Sequence, residues 1–152
     1  MDSGVIYTPG HFKKIRGVVW TDVTKKYHHD KSVLFDSVEF ATPDTIKLED
    51  STYLPGSLQI FKEIMSDPRL NVVQNDVHIY ISYGPKARTY GRHVDDESVL
   101  LVQAINDMSY KFDDGSICVL QPGDSLFIPS GVYHDPKPVA GGPRVTLSMR
   151  IG

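Results

Sequence analysis

The sequence holds a single cysteine, Cys118, and a single tryptophan, Trp20, among its 152 residues. One thiol cannot close an internal disulfide, so a reducing environment is expected. Cys118 lies in an apolar run, where a thiol packs as a small hydrophobe rather than acting as a nucleophile. No apolar run is long enough to cross a bilayer. The first residues lack the charged-then-apolar pattern of a secretory signal. A cytoplasmic location without membrane association is the matching expectation. An excess of charge is missing too: 16 Lys and Arg stand against 19 Asp and Glu, for a formal net charge of −3. That balance argues against non-specific nucleic-acid binding, although it leaves a local basic patch open. There is no internal repeat, low-complexity tract or linker. The length suits one domain over 1–152, able to bury roughly 68–70% of its unfolded surface without covalent staples.

What is present reads mainly as strand. Residues 17–20, 32–40 and 45–48 are short strand candidates. Pro55-Gly56 breaks the chain, and Ser57 then suits the N-cap of a helix over 57–65. Leu58, Phe61, Ile64 and Met65 recur at helical spacing and should form its core face, and Asp67-Pro68 stops it. Beyond residue 72 the pattern is all strand. Residues 76–83 alternate, with Val77, Ile79, Ile81 and Tyr83 on one face and His78, Tyr80 and Ser82 on the other. Residues 99–105 form a continuous apolar run broken by Gln103. Residues 108–112, 117–120, 124–128 and 144–151 follow, separated by Gly, Pro and Asp turns. The expected class is all-β with minor α, a sandwich or barrel with one packing helix. Residues 1–70 supply N-terminal strands and the helix, and residues 71–152 supply the core and the site. The segments 85–92 and 135–143 read as loops that border a substrate.

The chemistry concentrates between residues 90 and 134. His93-Val94-Asp95 sets two metal-capable side chains two apart, and on a strand such residues share a face. His134 ends the run Gly123-Asp124-Ser125-Leu126-Phe127-Ile128-Pro129-Ser130-Gly131-Val132-Tyr133-His134. Two imidazoles and one carboxylate make the facial set that leaves coordination positions open on iron(II). His28 and His29 are adjacent, would point to opposite faces of a strand, and read as a solvated loop. On the last strand Arg144, Thr146, Ser148 and Arg150 share a face, opposite Val145, Leu147, Met149 and Ile151. That polar face either lines a site or meets solvent. No protein nucleophile stands out.

Gly123, Asp124, Pro129, Gly131 and His134 resemble the second motif of the cupin superfamily, with Pro138 where an Asn is usual. The first motif departs from the cupin pattern, because Asp95 replaces its second His and the usual Glu is missing. A His-x-Asp pair joined to a distal His resembles the JmjC-like Fe(II)/2-oxoglutarate oxygenases, which share the cupin fold. Gly84-Pro85-Lys86, Leu100-Leu101-Val102-Gln103 and Tyr110-Lys111 add to the likeness, which covers the C-terminal half. The resemblance implies a double-stranded β-helix (cupin, jelly-roll) fold. It implies a non-haem Fe(II)- and 2-oxoglutarate-dependent dioxygenase, a hydroxylase, with Fe(II) held by His93, Asp95 and His134, and with 2-oxoglutarate and O2 as partners. It offers Lys111, or Arg144 with Thr146, for the distal carboxylate of 2-oxoglutarate. Arg144 is preferred because a guanidinium binds carboxylate bidentately. Arg150 is taken to lie too far from the metal end. Tyr90 matches a position where the family carries a cosubstrate-contacting hydroxyl, and Tyr80, Arg88 and Ser98 are lesser candidates. The alternatives are another metal-dependent cupin enzyme (a 2-oxoglutarate-independent dioxygenase or an isomerase) and a non-enzymatic binding module. The prime substrate stays open among protein, nucleic acid and metabolite, as does a homodimer.

Overall fold

The structure is a computed structural model that describes residues 4–12, 38–42, 45–48, 62–67, 78–82, 91–139 and 144–151. The strand expected at 17–20, the His28-His29 segment, the Ser57 cap, Arg88 and Tyr90 lie outside the described residues. The described strands are β1 (Ile6–Thr8), β2 (Val38–Thr42), β3 (Thr45–Leu48), β4 (His78–Ser82) and β5 (Ser98–Ile105), followed by β6 (Met108–Phe112), β7 (Ile117–Leu120), β8 (Ser125–Ile128), β9 (His134–Pro138) and β10 (Arg144–Ile151). They build a seven-stranded sheet in the order β1-β8-β5-β10-β4-β3-β2 and a three-stranded sheet in the order β7-β6-β9. The pairings are antiparallel throughout. This is the double-stranded β-helix expected from the motifs.

Alternation along each strand places the core. Val99 and Leu101 of β5, and Leu126 and Ile128 of β8, face the small sheet. They pack with Met108, Tyr110, Phe112, Cys118 and Leu120. Fully burying one such side chain, as Leu126 is buried, contributes roughly 1.5–3 kcal/mol. The other face of the large sheet is covered as well: Ile79, Ile81, Leu100, Val102, Leu147, Met149 and Ile151 are all buried. β5 is therefore buried on both faces, and this is why its sequence is a continuous apolar run rather than an alternation.

Residues 62–65 are helical and form the described end of the expected helix. Ile64 is fully buried, but Met65 is 59% exposed, so Met65 does not share the core face as its spacing suggested. The helix ends where Ser66 N donates to Lys62 O and Ser66 Oγ donates to Glu63 O, at 3.1 and 2.8 Å.

One expectation is overturned between 135 and 143. Residues 134–138 form the edge strand β9 rather than a loop, despite Pro136 and Pro138. The register explains the tolerance. His134, Pro136 and Pro138 alternate along β9 opposite Phe112, Tyr110 and Met108. His134 N donates away from β6, to His93 O. The two prolines occupy positions of the same parity, where β6 needs no N–H from the chain.

The Gly123-Asp124 pair has a structural task. Asp124 is 5% exposed. Its carboxylate accepts from Tyr7 Oη at 2.7 Å, Gly10 N at 2.8 Å and Gln121 N at 2.9 Å. It thus ties β1 and the following turn onto the barrel.

Candidate metal centre

His93 and Asp95 are not on a regular strand. His93 makes an isolated bridge to His134, and the chain then loops into β5. The bridge has two backbone bonds, His93 N to His134 O and His134 N to His93 O, both 2.9 Å. It joins the two ligand-bearing segments at their ligands. Gly131 N donates to Asp95 O at 3.2 Å and holds the third. Gly131 has φ +82°, a conformation that a side chain rarely adopts. The tight turn after Pro129 thus depends on this residue and delivers His134 to the barrel mouth.

The two imidazoles are set in the same way. His93 Nδ1 lies 2.8 Å from Gly91 O, and His134 Nδ1 lies 3.0 Å from Val132 O. A carbonyl oxygen only accepts, so each Nδ1 carries the proton and each Nε2 presents a lone pair. Both Nε2 atoms face Asp95 Oδ2, His134 at 3.3 Å and His93 at 3.8 Å. One ligand atom from each residue lies within 4.8 Å of the others. Bonds of about 2.1 Å from a shared ion reach donors up to about 4.2 Å apart, so the measured pairs fit one metal. Burial pushes the Asp95 carboxyl up, but the adjacent His134 and His93 outweigh it and hold it below its ordinary value. The residue stays an anionic ligand. His134 is 3% exposed, whereas His93 and Asp95 are half-buried, so the site is open on one side.

A second layer braces the ligands from outside. Arg92 precedes His93, and Tyr133 precedes His134. The Arg92 guanidinium lies 3.9 Å from the centre of the Tyr133 ring. It also donates to both carboxylate oxygens of Asp113, at 2.9 and 2.7 Å.

The polar face of β10 turns inward. Arg144 and Thr146 are buried, Ser148 is half-buried and Arg150 is exposed. The face descends from the mouth of the barrel into its interior. Arg144 Nη1 donates to Thr146 Oγ1 at 2.9 Å. The guanidinium lies 5.9 Å from the Tyr80 ring centre. Burial lowers the basicity of Arg144, and Tyr110 and Tyr80 partly restore it. Burial holds the Tyr110 phenol up at about 12, so the hydroxyl is protonated at neutral pH. Tyr110 faces Pro136, one same-face step in from the Phe112–His134 pair, and such a step is roughly 7 Å.

The structure separates the two cations considered for the cosubstrate. Lys111 pairs with Asp135 on the outer face of the small sheet and is exposed. It does not reach the interior, because its neighbour Tyr110 takes the inward position. The expectation for Arg150 needs correction in the opposite direction. β10 runs antiparallel to β5, so Arg150 lies opposite Val99 at the metal end. With Asp95 it lines a cavity of about 240 Å³ that also includes His78, Tyr80, Glu97 and Ser148. It pairs with Glu97 at 3.5 Å. Ser98 has a backbone task, accepting from Ser130 N at 3.1 Å.

Sequence reasoning did not single out Gln103, a fully buried polar side chain on β5. Its signal was a polar residue interrupting a buried apolar run. It also missed Arg92 and Tyr133, whose only signal was adjacency to the ligands.

Fold and site together define a double-stranded β-helix with a His-Asp-His set able to hold a metal ion. Among solved structures the chain is similar to the Escherichia coli ribosomal oxygenase YcfD. The YcfD complex with cobalt and 2-oxoglutarate superposes with TM-score 0.63 at 13% identity, over 96% of this chain and 48% of that one. The complex with cobalt and succinic acid gives 0.55 at 18% identity, over 70% and 31%. A further E. coli YcfD structure gives 0.62 at 12% identity, over 97% and 50%. At these identities the likeness is one of fold, and the chain spans a half or less of each of these structures. No protein-family model and no curated protein matches it.

Proposed function

We propose that this protein is a non-haem Fe(II)- and 2-oxoglutarate-dependent oxygenase that hydroxylates its substrate. One observation carries the reading: a buried guanidinium, Arg144, stands in the barrel interior below an open His-Asp-His set. A buried cation is costly to maintain unless it serves an anion. The Nε2 atoms of His93 and His134 and one Asp95 oxygen would hold the iron and leave three positions free. Bound there with 2-oxoglutarate and O2, the iron supplies the oxidation that turns a substrate C–H into C–OH while 2-oxoglutarate becomes succinate and carbon dioxide.

The chain's own residues bind and orient. Arg144 takes the distal carboxylate by charge-assisted hydrogen bonds. Tyr80 and Tyr110 flank the guanidinium and limit water. The apolar wall of Leu101, Leu126 and Phe112 keeps the interior dry, which strengthens each polar contact within it. The substrate's reacting group enters through the cavity beside Asp95, whose volume suits one side chain or a small metabolite. The fold likeness to an oxygenase solved with cobalt and 2-oxoglutarate supports the cofactor pair.

The test is an anaerobic titration. Fe(II) is added to metal-free protein, then 2-oxoglutarate, and the visible spectrum is recorded. A weak charge-transfer band that needs both additions is expected. Iron binding with no band on adding the keto acid would reject the 2-oxoglutarate chemistry. A protein that takes up no iron would reject the oxygenase reading altogether.

A further inference from the structure

Gln103 is fully buried on β5, and nothing described above gives its side chain a task. Its amide orientation is determined by its partners. Nε2 donates to Ile105 O at 2.9 Å and to Asn106 O at 2.7 Å. Both partners are acceptors only, so the nitrogen must face them and Oε1 must face the other way. There Oε1 accepts from Thr146 Oγ1 at 2.7 Å. That bond uses the one proton Thr146 has. Its oxygen is then purely an acceptor, and it receives Arg144 Nη1. The direction of every bond from Arg144 to the backbone carbonyls follows from this one amide.

Strand register sets Gln103 beside Thr146, and a backbone irregularity follows just past that pair. Val145 pairs with Ile105, but Thr146 pairs with Gln103, so the register slips past Ala104. The register from Ser98–Ile151 through Gln103–Thr146 is unbroken, so alternation alone puts Gln103 on the inward face with Val99 and Leu101, beside Thr146. Ala104 is the extra residue of a bulge just past that pair. The backbone of Gln103 is also pinned, with its N donating to Asp124 O at 3.0 Å and its O accepting from Gly123 N at 2.8 Å. The Gly123-Asp124 motif therefore holds the residue that directs Thr146.

We propose that Gln103 is a positioning residue: by taking the Thr146 proton it turns Thr146 into an acceptor that anchors Arg144 toward the distal carboxylate of 2-oxoglutarate. The inference rests on the cosubstrate reading above and adds a specificity to it. The floor of the barrel presents to a ligand the buried Arg144 guanidinium and no Thr146 proton. It selects an ionised carboxylate over an amide, which lacks the charge, and over an apolar end, which offers the guanidinium no acceptor.

The experiment uses the Zn(II)-loaded full chain without oxygen, and calorimetric binding of two keto acids. 2-Oxoglutarate has the distal carboxylate, whereas pyruvate has the same chelating head without it. Gln103→Met keeps the length and removes the amide. It is expected to weaken 2-oxoglutarate binding about tenfold and leave pyruvate unchanged. Arg144→Met should weaken 2-oxoglutarate further, and the double variant should bind no worse than Arg144→Met alone, since the two residues act as one unit. Should Gln103→Met fold poorly, Thr146→Val breaks the same chain while keeping the shape, and the same selective loss is expected. Equal losses for both acids, or additive losses in the double variant, would overturn the positioning role. Wild-type protein that binds 2-oxoglutarate no better than pyruvate would overturn the cosubstrate reading itself.

Discussion

His93 and His134 each donate Nδ1–H to the carbonyl two residues earlier, so the backbone selects the tautomer that leaves Nε2 for a metal. Asp95 stands between them as the anionic third donor. Replacing His93 or Asp95 by Ala is expected to weaken Zn(II) or Fe(II) binding by more than about 100-fold, read by competition with a chromophoric chelator. Unchanged affinity in either variant would remove the site. The cations divide sharply at this scale. Arg144→Leu removes a hydrogen-bonding charge worth about 1.5–3 kcal/mol to a bound carboxylate, so 2-oxoglutarate affinity should fall about 10- to 150-fold. Lys111→Ala, on the outer face, should change it by no more than about twofold. A large effect of Lys111→Ala with a small one of Arg144→Leu would reverse the assignment. The His93-Asp95-His134 cluster was legible in the sequence because His-x-Asp and the distal His are local patterns. The choice between Lys111 and Arg144 was not, because each is a cation on a strand and only the pairing of Lys111 with Asp135 reveals which face it takes.

Elements, rather than single residues, fix how well the ligands are aimed. The His93–His134 bridge joins a loop to the edge strand β9, and the Arg92–Tyr133–Asp113 contacts brace the join from outside. These groups are exposed, so their contribution to global stability is small in water. Their effect should appear in ligand geometry. Arg92→Ala is expected to weaken metal binding by about 3- to 10-fold while the melting temperature of the metal-free protein moves by less than about 2 °C. The Co(II)-substituted protein should show a changed visible spectrum, since the ligand field reports the aim of the imidazoles. An unaltered spectrum with unaltered affinity would make the brace a surface contact only. Elements such as β4, β6 and β10 were legible because alternation or apolar runs are bounded by Gly, Pro and Asp. β9 was not, because two prolines mask a strand whose outward N–H groups are not required by β6. The bulge at Ala104 was equally hidden. It comes from matching two strands, and neither strand signals it alone.

For the whole molecule, the consequence of enclosing a polar floor within an apolar barrel is a dependence on alkaline pH. Tyr110 is buried at that floor, and its phenol titrates at about 12 instead of 10.0. The unfolded chain gives up this proton near pH 10, while the folded protein keeps it until about pH 12. The stabilisation is therefore complete below pH 10 and is lost as the pH rises from 10 to 12. Two units at 1.36 kcal/mol each make that loss about 2–3 kcal/mol. Tyr7 is raised to about 12 as well, chiefly by its hydrogen bond to Asp124, but it is more exposed and adds less. Urea unfolding of the full chain between pH 8 and 12 should show a falling limb in this window. Tyr110→Phe should flatten most of it, and Tyr7→Phe only a small part. The same Tyr110→Phe substitution leaves the Arg144–Thr146–Gln103 chain in place, so 2-oxoglutarate affinity at neutral pH should fall by less than in Gln103→Met. If Tyr110→Phe kept the full alkaline limb, the barrel floor would have to be wetter than the buried Arg144–Thr146–Gln103 chain requires, and Arg144 would act on 2-oxoglutarate through water rather than by direct contact.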